Sequence, residues 1–197
     1  QVRLVLVDPK QVELNHYETI PHLLTPVITN PRMAANALQN LVREMEWRYG
    51  VMSVARTRSL PELNKHRIAQ DEEPLPYILC VIDELADLMM VAPADVENSI
   101  IRLAQKARAV GIHLVLATQS LTDAANSGIL DVIVESTATK IFLPNVFARD
   151  EDTSALYRRM GLNSRQIEIL ATAIPERQHY YSSEYGHRPC DLALGPL

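Results

Sequence analysis

Glycine is scarce in this 197-residue sequence: there are six, and none cluster. No G-x-x-x-x-G-K-[ST] stretch occurs, so these residues supply no glycine-rich loop of backbone N–H groups to cradle a phosphate chain. Cysteine is scarcer, with Cys80 inside an apolar run and Cys190 near the C-terminus. That spacing holds no metal, Cys80 reads as a buried, inert thiol, and the pattern fits a reducing compartment. The six histidines (His16, His22, His66, His113, His179 and His187) are scattered, with no pair at metal-ligand spacing. No apolar run approaches a membrane span, and the first residues lack the charged-then-apolar pattern of a signal peptide. Positive charge is also in deficit: 19 Lys and Arg face 24 Asp and Glu, a formal charge of −5. Bulk attraction to nucleic acid is thereby excluded, and any such contact must come from a local patch or an assembled ring.

Alternation is what the sequence does have. Its length suits one domain with a single core. Four short apolar runs recur, "VRLVLV" (2–7), "YILCVI" (77–82), "IHLVLA" (112–117) and "TKIFLP" (139–144). The first three are nearly continuous in apolar character, as strands covered on both faces of a parallel sheet are. The sequence opens directly on one of them, so further residues are expected upstream. Between the runs, Asn30 and Pro31 start a helix with Ala34, Ala37, Leu38, Leu41, Met45 and Tyr49 at helical spacing. Met45, Trp47 and Tyr49 on or beside that face read as core packing. Pro93 opens a second helix, with Val96, Ile100, Leu103, Ala107 and Val110 on one face and Gly111 as its stop.

The stretch 53–76 is polar, carries Arg56, Arg58, Lys65, His66 and Arg67, and reads as a surface excursion, either a solvated face or a ligand contact. In the tail, 151–159 suits a helix with acids in its first turn, arginines in its last and Gly161 as its stop. Asn163 caps another short helix, and a hairpin turns near Tyr185-Gly186. The whole reads as α/β, a mostly parallel open sheet with flanking helices. Residues 1–144 form the core, and 145–197 add a helical segment and hairpin completing the same domain.

The chemistry concentrates in "YILCVIDELADLMM", Tyr77 to Met90. Two adjacent carboxylates, Asp83 and Glu84, stand at the seam between two apolar segments, where burying them unpaired is costly. In an open α/β sheet, ligands bind beyond the carboxyl ends of the strands. An apolar strand ending in Asp-Glu can hold magnesium through the first carboxylate, usually by way of water, and activate a water with the second. A solvated acid pair at a strand end is the alternative. "IHLVLATQS" ends in Thr118 and Gln119 at the equivalent edge, where an amide can orient an attacking water. Arg108, near the end of the preceding helix, either stabilises that helix terminus or reaches a neighbouring subunit's nucleotide. Asp8 and Lys10, in "DPK", close the first strand on the same edge without an assigned role.

Residues 2 to about 119 resemble the motor domain of the FtsK/SpoIIIE double-stranded DNA translocases. The resemblance rests on "VRLVLVDPK", "YETIPHLLTPVIT", "AANAL", "EMEWRYGVM", "VIDELADLMM" and "RLAQKARAVGIHLVLATQ". It implies a RecA-like P-loop NTPase core whose phosphate loop, with its strand and helix, precedes "VRLVLVDPK". Loss of that strand is expected to expose an apolar sheet edge. Asp83 then matches the magnesium-binding aspartate, Glu84 the catalytic glutamate, Gln119 the sensor with Thr118 beside it, and Arg108 the arginine acting in trans. The cofactors implied are ATP and Mg2+. The partners are duplex DNA and further copies of the chain in a ring, a hexamer in this family. The location is the bacterial cytoplasm, at the inner face of the membrane through parts outside these residues.

Past Gln119 the resemblance changes. "ESTATKIFLPN", "YRRMGL" and "DLALGP" are similar to the C-terminal part of CagE/TrbE/VirB-class conjugation and type IV secretion ATPases. The strand at 139–144 is expected to complete the same sheet. Where a DNA-contacting lysine would fall, "GILDV" places Asp131, of the wrong sign for phosphate. Lys65, Arg67 and Lys140 are the remaining basic candidates. Three readings stand: part of a DNA motor, a secretion ATPase with its secretion-system partners, or a catalytically silent RecA-like scaffold or hybrid.

Overall fold

Three of the four apolar runs become one parallel sheet in the computed structural model, which describes residues 1–119, 121–126 and 129–191. They are β1 (Val2–Val7), β2 (Tyr77–Ile82) and β3 (Ile112–Leu116), in the order β1-β2-β3. Val7 lies beside Ile82, and Ile82 beside Leu116. Parallel neighbours need long crossovers, and helices supply them. Between β1 and β2 run α1 (Pro31–Val54) and α2 (Leu60–Ala69); between β2 and β3 run α3 (Leu85–Val91) and α4 (Pro93–Lys106). A short helix, α5 (Leu121–Asn126), follows β3. The expected α/β architecture is what forms.

The two flanks of the sheet differ. Beside β1 the backbone of residues 22–28 runs parallel to the strand. Leu4 N–H donates to His22 O, Leu24 N–H to Leu4 O and Ile28 N–H to Leu6 O, each at 2.9 Å. The β1 flank is thus covered by the chain's own loop. On the other flank β3 pairs with no second strand among the described residues. Its His113 and Val115 are exposed, so only β1 and β2 approach two-sided cover.

Helix α1 begins as its residues require: Asn30 Oδ1 accepts from the N–H groups of Arg32 and Met33, and Pro31 fills the first turn. Ala34, Leu38, Leu41 and Met45 are buried along one face. Trp47 and Tyr49 are partly exposed instead, and Tyr49 Oη donates to Lys106 O at 2.6 Å. The helix also runs through Val54, further than its apolar spacing indicates, so the stretch 53–76 is more than an excursion. Its α2 drives Leu60 and Leu63 completely out of solvent, while Asn64 and Leu75 exchange hydrogen bonds of 2.9 and 2.8 Å to tie down the connector into β2. Gly111, at φ +76°, ends the 3-10 turn Ala107–Val110 that follows α4. A Cβ there would collide with the Leu60 side chain.

One charged residue lies inside this unit without any signal in the apolar pattern. Arg48, on α1, is 1% exposed. Its Nη1 donates to Pro76 O and to Val110 O, both at 2.9 Å, and its Nε to Glu44 Oε1 at 2.8 Å. The two carbonyls stand just ahead of β2 and β3.

The chain divides into two compact units, Gln1–Ile129 and Leu130–Leu197, ahead of the expected boundary at 144. In the second, β4 (Thr139–Phe142) is hydrogen-bonded antiparallel to β5 (Gln178–Ser183), which pairs with β6 (Gly186–Asp191). The fourth run therefore does not extend the parallel sheet. Its burial alternates, with only Phe142 fully covered, which suits a sheet with one wet face rather than a central parallel strand. The two tail helices form as expected, α6 (Glu151–Arg159) stopping before Gly161 and α7 (Ser164–Thr172) carrying a full capping box between Asn163 and Gln166. The hairpin turns at Glu184-Tyr185, one residue earlier than expected. Most of "DLALGP" lies outside the described residues, as do Ser120 and Gly128.

Replacing Arg48 with Met keeps much of its volume but strands two buried carbonyls. Unfolding in urea should show a loss of about 3 kcal/mol, the range for breaking a buried charge-assisted cluster. A loss below about 1 kcal/mol would mean the guanidinium is not what holds these strand starts.

Candidate functional site

Parallel strands deliver their carboxyl ends to one edge, and here the backbone ladder runs one step past each strand. Asp83 N–H donates to Val7 O at 3.0 Å, and Ala117 N–H to Ile82 O at 2.9 Å. Asp8, Asp83 with Glu84, and Thr118 with Gln119 are thereby set side by side on fixed backbone. Leu85 N–H closes the arrangement on Ala117 O at 2.9 Å.

Glu84 is the N-cap of α3 and is 2% exposed. Four donors converge on its carboxylate. Oε1 accepts from Thr118 Oγ1 at 2.7 Å and from Ala86 N–H at 3.2 Å. Oε2 accepts from Gln119 N–H at 3.2 Å and from Lys10 Nζ at 3.3 Å. Burial works against its ionisation, but the donors from Thr118, Gln119, Ala86 and Lys10 outweigh it and hold the carboxyl below the ordinary glutamate value. Asp83 is the opposite case. Burial first, then the charges of Asp8, Glu13 and Glu84, push its pKa up, with Lys10 opposing them. Asp83 is half-buried, and its carboxylate accepts no hydrogen bond among the described residues.

Asp8 and Lys10, to which the sequence assigned no role, both belong to this cluster. Asp8 is fully buried, and its Oδ2 accepts from Glu13 N–H at 3.0 Å and Leu14 N–H at 2.9 Å. Their position at the end of a strand on the Asp-Glu edge was the available signal. No group of three or more His, Cys, Asp or Glu among the described residues is placed to hold a metal directly. An unpartnered Asp83 in an acidic cluster instead fits a hydrated divalent cation, held through its water shell. Cys80, by contrast, has its thiol pushed up to about 12 by burial and takes no part.

The other candidates separate. Arg108 is exposed in the 3-10 turn before β3, while Thr118 follows that strand. Six residues of extended chain, at about 3.3 Å each, put roughly 20 Å between them. Arg108 and the carboxylates therefore stand at opposite ends of the sheet. Arg67 is engaged in structure: its Nε donates to Glu73 O and its Nη1 meets Glu72 Oε2, both at 2.8 Å. Lys140, in the second unit, donates to Thr137 O at 3.0 Å, and burial lowers its pKa. Asp131 is held by Arg159 through bonds of 2.7 and 2.6 Å. Lys65 is exposed on α2.

Thr118→Val removes the shortest of the four bonds to Glu84. The Glu84 carboxyl should then titrate at a higher pH in a carbon-detected NMR titration. The sign for stability follows: Glu84 contributes above its unfolded value near 4.5 and loses that contribution as the pH falls through its lower folded value. The variant should lose stability at neutral pH and lose less than the parent on acidification. An unmoved Glu84 titration would show that the hydroxyl does not set its charge state.

Residues 1–123 match the FtsK/SpoIIIE family, more than half of the sequence. DNA translocase FtsK of Corynebacterium efficiens is 53% identical over 146 residues, covering 69% of this chain and 15% of that protein. The FtsK of Mycobacterium tuberculosis H37Rv is 49% identical over 146 residues, 69% of this chain and 18% of that protein. The chain thus spans less than a fifth of the length of these curated relatives. Among solved structures, the pCW3 conjugation coupling protein TcpA, in its monomer form with ATPγS, superposes with a TM-score of 0.73 at 21% identity, over 96% of this chain and 51% of that one. ATPases 2 and 3 of EssC from Geobacillus thermodenitrificans give 0.67 at 21% identity, over 93% of this chain and 32% of that one. At such identities these two speak for the fold alone. No helix among the described residues is long and apolar enough to cross a membrane. With the strand ends, the carboxylate pair and the family match all falling within its first 123 residues, the chain belongs to the FtsK/SpoIIIE family.

Proposed function

We propose that this strand edge is the hydrolytic face of an ATP-driven motor that moves duplex DNA. The observation that carries the reading is the convergence of Thr118, Gln119 and Lys10 on Glu84, beside an Asp83 left without a hydrogen-bond partner among the described residues. Asp83 is the carboxylate that receives the water shell of Mg2+. The cation neutralises charge on the nucleotide phosphates when bound. Glu84, held ionised, accepts the proton of the attacking water, and the Gln119 side chain, exposed at the same edge, orients that water. Arg108, at the far end of the sheet, serves the site of a neighbouring copy, which makes a closed ring, a hexamer, the working form. Lys65 is the basic side chain best placed for a phosphate of DNA, since Arg67 and Lys140 already hold backbone carbonyls.

The phosphate-cradling loop does not occur among these residues, so turnover is to be measured in a longer chain that carries one. There, Glu84→Gln should cut duplex-stimulated ATP hydrolysis by at least ~100-fold, several kcal/mol of barrier, and Arg108→Ala should do likewise. Mixing the two variants should restore part of the activity, because some interfaces then pair an intact Glu84 with an intact Arg108. No recovery on mixing would place Arg108 outside the reaction. Hydrolysis indifferent to duplex DNA would point to a secretion ATPase, and none under any condition to a silent scaffold.

A further inference from the structure

Asp8 presents an unsolved cost. It is 0% exposed, yet only one of its two oxygens is used: Oδ2 takes the Glu13 and Leu14 N–H groups, while Oδ1 is buried without a hydrogen-bond partner. A buried carboxylate oxygen left this way costs free energy unless something supplies a donor or a positive charge. The surroundings make the cost larger. Asp8, Glu13, Asp83 and Glu84 are four acids in one cluster, with Lys10 the cation among them, and Lys10 is bonded to Glu84.

The register gives the direction in which relief can come. Val7 and Ile82 are partners in the parallel ladder, and Asp83 N–H still bonds to Val7 O. Asp8 and Asp83 are the next residues along, so their side chains project from the same face of neighbouring strands roughly 4.8 Å apart. With Oδ2 turned to the loop 13–14, Oδ1 is the oxygen left for the face shared with Asp83. That face is also where burial and like charge weigh on Asp83.

We propose that Asp8 is the second carboxylate of the cation site, its Oδ1 receiving a water of the divalent cation's shell whose other side is received by Asp83. The proposal rests on the reading of Asp83 given above. It adds that β1 as well as β2 contributes an acid, and that the loop closed on Asp8 Oδ2 keeps this acid in place. Asp8 then acts as a positioning residue for the hydrated ion, and its negative charge is surplus until a cation arrives.

The test uses this chain, Mn2+ as the probe and two readouts. Electron paramagnetic resonance counts free Mn2+ against the parent chain, Asp8→Asn, Asp83→Asn and the double variant. Each single variant should weaken Mn2+ binding at least ~10-fold, about 1.4 kcal/mol, and the double variant little more than either, since the two acids serve one ion. Thermal melting supplies the second readout. In EDTA, Asp8→Asn should melt above the parent, because asparagine keeps an acceptor for Glu13 and Leu14 while removing an uncompensated buried charge. Mn2+ should then raise the melting point of the parent but not of the variant. If Asp83→Asn loses Mn2+ and Asp8→Asn binds it like the parent, the role given to Asp8 is overturned and the reading of Asp83 stands. If the parent itself takes up no Mn2+, both are overturned. An Asp8→Asn chain that melts below the parent in EDTA, or fails to fold, would show that the charge is structural, and would also overturn the proposal.

Discussion

The site depends on where the strands begin. A parallel sheet presents its functional groups at the carboxyl ends, so an error in register at the start of a strand is carried to its end. Arg48 meets that requirement with one side chain, a rigid guanidinium whose Nη1 bonds the carbonyls just before β2 and β3. Lysine has the charge but not the planar fork, and an aliphatic residue has neither. Burying the cation is expensive, and its cost is offset by two carbonyls and by Glu44 on the preceding turn of α1. The helix that crosses between β1 and β2 is thereby fixed to the starts of β2 and β3 at once.

At the other end of the strands, two adjacent acids acquire different characters from their surroundings. Glu84 is surrounded by donors and held ionised despite burial; Asp83, one residue earlier, faces other carboxylates. The contrast is produced by position alone. Glu84 turns into the cap of α3 and across to β3, while Asp83 stays on the side of β1. A base and a cation receiver call for this separation of environments, and adjacent residues at a strand-to-helix turn provide it because their side chains leave on opposite sides.

Much of this was readable before any coordinates. Continuous apolar runs marked β1 and β2, the Asn-Pro and Gly signals bounded α1 and the α4 region, and the Asp-Glu pair with Thr118-Gln119 located the functional edge. What escaped followed from tertiary context. Arg48 is charged, and the apolar pattern carries no sign that a particular arginine is buried against carbonyls 28 and 62 residues away. The stretch 53–76 looked like surface because α2 buries only Leu60 and Leu63, too few for a visible periodicity. The run 139–144 has strand composition, but composition does not state the partner, and its alternating burial belongs to the antiparallel unit. Asp8 was noticed by place, whereas its bonding to Glu13 and Leu14 depends on a loop fold that the pattern does not encode.

The unequal flanks of the parallel sheet have a consequence for growth. Residues 22–28 occupy the hydrogen-bonding groups of β1, so no further strand can join there without displacing them. Among the described residues β3 pairs with no second strand, so any strand added to this sheet joins at β3. Thr118 and Gln119 would then pass from the rim of a three-stranded sheet to the middle of a wider one. The loop leaving the new strand would arrive next to Glu84 rather than next to Asp8. The sheet is thus finished on its Asp8 side and extensible on its Thr118 side, and its chemistry faces the side that can still be built upon.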